Sequence, residues 1–186
     1  MEARERELKL LALLLQYPDA AFRKALPELA EAARGLPDAA EREALQAGVE
    51  AFAALPPLEL AARYTAAFDL NPSTTLDMTH HLWGDSEQRA AALARLERAY
   101  RGAGYARADG ELPDFLPLML EFLAVCPQAP DRAFVWSCLE GLKTLGPRLA
   151  QEAPVYAALL DRIEALRPAA APARPLEEGG RHEPRR

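Results

Sequence analysis

The sequence predicts an all-α protein, a single-domain multi-helix bundle, and three observations carry that expectation. Apolar residues recur at helical spacing along most of the 186 residues, as Phe22, Leu26, Leu29 and Ala33 do. Prolines, glycines and capping acids punctuate the chain at helix-length intervals. Runs rich in β-branched residues are scarce, so no strand pattern competes. Half of the residues are apolar but only 7% are aromatic. The core must therefore rest on Ala and Leu, whose small side chains let helix axes approach.

Taken in order, residues 2–16 form a first amphipathic helix, stopped by Tyr17-Pro18. Asp19 caps a second, with Pro27 expected to kink or split it and Gly35-Leu36-Pro37 to end it. Asp38 caps a third, Glu41 stands where a capping-box acid belongs, and Leu45, Val49, Phe52 and Leu55 form its stripe. Pro57 opens a fourth, which runs to about Phe68 with Leu60, Tyr64 and Phe68 at successive turns. Asn71-Pro72-Ser73 is a turn. A short helical segment covers about 75–82 and closes at Gly84, since glycine tolerates a left-handed cap. Asp85 or Ser86 then starts a long helix to about Arg101, with Leu93, Leu96 and Tyr100 inward. After a glycine-rich loop, Pro113 reopens a helix with Asp114 in its first turn and Leu116, Leu120 and Leu123 facing the core. Pro127 and Pro130 end it. Asp131 caps the next, weakened at Gly141 and broken at Gly146-Pro147, and a last helix covers about 155–166.

From Pro168 the composition shifts to Pro, Ala, Gly and charge. With one leucine and no aromatic, residues 168–186 cannot bury enough apolar area to offset ordering. They are expected to form a disordered tail behind a helical domain of residues 1–167. The formal net charge is −6. The tail's four arginines outnumber its three glutamates, so the helical part is more acidic still. Such a surface argues against nucleic acid and suits a basic peptide or protein partner. Cys126 and Cys138 make neither a disulfide framework nor a zinc site, and read as reduced core thiols. Glu2, Glu5 and Glu7 spoil a signal-peptide reading, and the apolar run after them is too short to span a bilayer. A cytoplasmic protein without direct membrane insertion is expected.

Residues 64–89, YTAAFDLNPSTTLDMTHHLWGDSEQR, hold two of the three histidines and one of the two tryptophans. His80 and His81 point about 100° apart on a helix, so they do not converge on one ion. Asp77 and His81, at i and i+4, permit one carboxylate–imidazole contact. No HExxH, CxxC, GxSxG or glycine-rich phosphate loop is present, so no catalytic residue, metal or cofactor is assigned and no enzyme is expected. Tyr64, Phe68, Leu76, Met78, Leu82 and Trp83 instead bring apolar groups close to Asp69, Asp77 and Asp85. That mixture matches an amphipathic helix with basic flanks.

With those residues in view, the chain resembles the NarJ-type chaperones that assemble the molybdenum-cofactor subunit of respiratory nitrate reductase, within the wider TorD-like group of redox-enzyme maturation proteins. The resemblance covers about residues 10–166. Its landmarks are LLLQYPD (13–19), YTAAFDL (64–70), the 76–89 segment with GDSEQR, and ELPDFLPLMLEFL (111–123). Two departures stand out. Glu87 and Ala90 replace the outer residues of an Arg-x-Arg-Gly pattern common in the group, leaving Arg89, and Phe115 replaces a histidine after Pro113-Asp114.

The resemblance implies a helical chaperone with no stable cofactor of its own. It would bind the apo catalytic (alpha) subunit of nitrate reductase, chiefly at its N-terminal segment, and hold it competent for molybdenum cofactor insertion. Cofactor-delivery proteins would be further partners. The expected client-peptide surface is Tyr64, Phe68, Asp69, His81, Trp83, Gly84, Asp85, Arg89, Asp114 and Glu121, around a cleft beside Gly84. The rival readings are a stable helical subunit of a redox complex and a helical metalloenzyme using Asp77, His80 or His81.

Overall fold

The first helix is the centre of the bundle. The computed structural model describes residues 2–106 and 110–168. In it α1 (Ala3–Leu14) buries Leu8, Leu10, Leu11, Ala12 and Leu14. It lies against the apolar α7 (Leu116–Val125), and α2 (Ala20–Arg34), α3 (Ala39–Ala54) and α10 (Pro154–Ala165) pack around it. Between these run α4 (Pro57–Tyr64), α5 (Met78–Trp83), α6 (Glu87–Gly102), α8 (Arg132–Cys138) and α9 (Leu142–Glu152). Among the described residues extended pairing is confined to one isolated antiparallel bridge, Asp77 with Phe115. None of the described helices is long and apolar enough to cross a membrane.

Side-chain caps set the starts of α2, α3 and α6. The Asp19 carboxylate accepts from the Phe22 amide at 2.8 Å, Asp38 from the Glu41 amide at 3.0 Å, and Ser86 from the Arg89 amide at 3.3 Å, each satisfying an orphan donor. Glu41 does not close a capping box. Its carboxylate turns to Arg162 of α10 at 3.7 Å, and that guanidinium also bonds the fully buried Glu7 at 2.8 and 3.0 Å. Burial holds Glu7 above the usual carboxylate range against the pull of Arg162. Asp131 precedes α8 without capping it and pairs with Arg95 at 3.3 Å.

Several sequence expectations change. Pro27 and Pro147 sit inside continuous helices rather than dividing them. A proline in a helix interior costs about 3 kcal/mol, but Leu26, Leu29, Ala33, Leu145 and Leu149 are all buried beside them and favour keeping each helix in one piece. The short segment expected at 75–82 starts later, at Met78, after a 3₁₀ turn Pro72–Thr74. Leu93 is only half-buried, whereas Leu96 and Tyr100 face the core as expected. Asp114 is not in the first turn of α7, which begins at Leu116. Gly141 ends a 3₁₀ turn (Leu139–Gly141) that leads into α9. The tail expectation concerns residues that, after Pro168, lie outside the described ones.

Candidate functional site

Two neighbourhoods gather the sequence-predicted site residues, and they meet at the segment 111–117. The first is an open groove of about 770 Å³. Leu13, Tyr17, Phe22 and Leu29 line it from the α1–α2 side, and Phe115, Pro117 and Leu118 from the start of α7. Among the described residues four carboxylates, Asp19, Asp69, Glu111 and Glu121, also line it, and none of the lining side chains is basic. Three large apolar side chains that the fold leaves exposed belong to it or adjoin its lining in sequence: Tyr17, Leu70 and Leu112.

The wall carrying Asp69 is built by a change of winding. After Tyr64, the residues Thr65–Asp69 form a π-turn, in which the Leu70 amide reaches back five residues to the Thr65 carbonyl at 3.1 Å. Such wide turns displace the following side chains relative to an α-helix. Tyr64 and Phe68 anchor the turn from below. Tyr64 stacks edge-on with Phe68 at 5.0 Å and with Tyr17 at 5.4 Å, and its hydroxyl donates to the Leu15 carbonyl at 3.2 Å. Phe68 is buried against Tyr156 at 4.9 Å. Asp69 projects into water and Glu121 is half-buried.

The second neighbourhood is an ionic knot around Arg89. Its guanidinium lies 3.2 Å from Asp85, 3.6 Å from Asp114 and 3.7 Å from Asp77. Asp114 is fully buried, and its Oδ2 accepts from both the amide (3.1 Å) and the hydroxyl of Thr79. The same loop is tied by its backbone. The Met78 amide donates to the Asp114 carbonyl at 3.0 Å, and the Leu116 amide to the Leu76 carbonyl at 2.8 Å. Burial, then the neighbouring Asp114, holds Asp77 above the ordinary carboxylate range, against Arg89.

His81 does not meet Asp77, as its i,i+4 spacing had allowed. Its Nε2–H donates to the Thr75 carbonyl at 2.8 Å, and burial pushes its pKa down. His80 lies 3.8 Å from Asp85. Gly84 ends α5 at φ 54°, its amide bonded to the His80 carbonyl at 2.8 Å. Trp83 packs partly buried against the core, and Asp85 is exposed. Among the described residues no group of three or more His, Cys, Asp or Glu side chains could hold a metal ion.

The structure thus brings Tyr64, Asp69 and Glu121 to one groove, with Phe68 buried behind. It brings His81, Trp83, Gly84, Asp85, Arg89 and Asp114 to the knot. None of the groove's lining residues comes from the 75–100 stretch around Gly84. Sequence reasoning had not placed Tyr17, Tyr105, Phe115 or Leu118 in the client surface. One signal was readable: Leu118 and Glu121 are three apart on a helix and share a face.

Comparison with known proteins gives consistent results. Residues 15–145 match the family model described as nitrate reductase delta subunit. The chain is 32% identical over 166 residues to the nitrate reductase molybdenum cofactor assembly chaperone NarJ of Escherichia coli strain K12, covering 84% of this chain and 67% of that one. It is also 32% identical over 162 residues to the Bacillus subtilis strain 168 protein designated NarJ, covering 86% and 88%. A crystal structure from Archaeoglobus fulgidus, designated a redox enzyme maturation protein, superposes with a TM-score of 0.60 at 22% identity over 88% of this chain and 91% of that one.

Proposed function

The chain belongs to the nitrate reductase delta subunit family, and from that premise we propose that it is a system-specific assembly chaperone. It holds the apo catalytic subunit of a respiratory nitrate reductase competent for molybdenum cofactor insertion. The observation that carries this reading is the groove, which joins apolar side chains to four carboxylates and, among the described residues, has no basic one in its lining. An amphipathic helix from the client's N-terminal segment fits it. The helix's apolar stripe enters between α2 and α7, and its arginines or lysines meet Asp69, Glu111 and Glu121.

The molybdenum cofactor is the client's cargo, and this role asks for no bond-making by the chaperone. It asks for preference. A ligand shifts an equilibrium only by its differential affinity for the two states, so the groove must bind the unfilled client more tightly than the filled one. A coupling of about 1–3 kcal/mol is enough to delay release. On this reading the Arg89 knot holds the 111–117 segment in place, and the groove residues touch the client.

Calorimetry of the full chain with a synthetic N-terminal peptide of a nitrate reductase catalytic subunit tests the proposal. Asp69→Asn combined with Leu118→Glu is expected to weaken binding at least about tenfold, or 1.4 kcal/mol. Trp83→Ala with Asp85→Ala is expected to leave it within about twofold. Absence of binding overturns the proposal. Loss confined to the Trp83–Asp85 pair moves the contact surface to the Gly84 end.

A further inference from the structure

Glu121 lines the groove with both carboxylate oxygens already engaged from within the chain. The Lys9 ammonium, reaching over from α1, pairs with Oε1, and the Tyr105 hydroxyl donates to Oε2 at 2.9 Å. Burial first, then the bond to Glu121, raises the Tyr105 pKa, so the phenol stays a donor. Lys9 is different in kind. It sits on the central helix between buried Leu8 and Leu10, yet its side chain is 31% exposed and that of Glu121 32%. The pair is partly buried, but water reaches both partners and screens part of their attraction, which leaves it open to exchange.

We propose that Lys9 is a built-in competitor for the client, occupying on Glu121 the position that a basic residue of the incoming segment takes over. This rests on the groove reading above. An incoming cation removes Lys9 from Oε1, and the freed ammonium, already one-third exposed, turns into solvent without a new burial cost. The exchange conserves the charge balance at the groove wall. At Glu121 the free protein does not leave a bare carboxylate for any passing cation, and a client displaces Lys9 only if its apolar stripe also seats. A guanidinium is favoured over an ammonium, because its planar fork spans both carboxylate oxygens while Lys9 holds one. Lys9 therefore lowers affinity for all basic peptides and sharpens selection for those that fit.

Binding of the full chain to a synthetic amphipathic peptide, with arginines flanking an i, i+3, i+4, i+7 leucine stripe, is measured for wild type and variants. Lys9→Met keeps a good helix former and is expected to tighten binding about threefold to tenfold, the range that release of a partly exposed ion pair allows. Lys9→Arg is expected to weaken it, since a guanidinium competes better for Glu121. In a Glu121→Gln background the gain from Lys9→Met is expected to fall below about twofold. The chain has three lysines, Lys9, Lys24 and Lys143, so acetylation followed by mass spectrometry gives a second readout. Peptide should raise the reactivity of Lys9 and leave the other two unchanged.

Unchanged or weaker binding by Lys9→Met overturns the proposal. So does a gain that survives Glu121→Gln, which would mean general charge repulsion. If the peptide fails to bind wild type, the groove reading fails with it. If it binds but ignores Lys9, this inference alone fails.

Discussion

Gly141 stands beneath α5 with no room for a side chain. A Cβ there would lie 2.6 Å from the Met78 carbonyl oxygen and 3.2 Å from the His81 Cβ. In the sequence it reads only as a weak point in a helix; in the fold it is where two elements touch backbone to backbone. Gly141→Ala is expected to cost about 1–3 kcal/mol through forced displacement of α5. Gly84→Ala has open space around it, and its cost of about 1–3 kcal/mol comes from the backbone, whose φ of 54° with ψ of −148° is essentially reserved for glycine. Urea denaturation checks both, and the two differ in one respect. Gly141→Ala should also move the amide signals of residues 78–81, while Gly84→Ala should move only its own turn. An unperturbed α5 in Gly141→Ala would refute the contact.

At the scale of elements, the 111–117 segment is the hinge between knot and groove. Its buried Asp114 replaces what a strand pair would otherwise supply, holding the Thr79 amide and hydroxyl from across the bridge. Asp114→Ala leaves those donors and part of Arg89 unpaired in the interior. Thermal and urea unfolding should register a loss of about 2–4 kcal/mol, with hydrogen exchange at Thr79 rising first. A cost below about 0.5 kcal/mol, typical of surface changes, would show that the knot does not hold the loop.

The same segment shows what a sequence can and cannot disclose. Asp19, Asp38 and Ser86 were readable as caps because a cap is decided within three residues. Asp114 read as a first-turn acid for the same local reason, yet the Thr79 amide and hydroxyl that it holds are 35 residues away. Pro27 and Pro147 read as breaks because local cost is visible and long-range packing is not. Of the groove, Tyr64, Asp69 and Glu121 were found from composition and resemblance. Tyr17, Tyr105 and Phe115 join it only because the end of α1, the segment after α6 and the start of α7 meet there. The π-turn that aims Asp69 has no sequence mark.

For the molecule as a whole, His81 makes stability depend on pH. Its folded-state pKa is lowered, chiefly by burial, so in mild acid the unfolded chain takes up the proton first. Stability is then full above the ordinary histidine value of about 6.5 and falls as pH drops through it, until the folded value is passed. His81→Gln should flatten this part of the curve. The difference in urea midpoint between wild type and variant, followed from pH 7.5 to 5.5, measures it. A difference that does not change with pH would show that His81 titrates alike in both states.

The central helix also has a history in time. Lys9 and Glu121 are separated by 112 residues, so during synthesis α1 leaves the ribosome long before α7 exists. Until then its leucines have nowhere to dry, and the nascent chain must carry them uncovered or bury them in passing company. A protein proposed to shelter another's unfinished segment therefore begins life with an unfinished helix of its own.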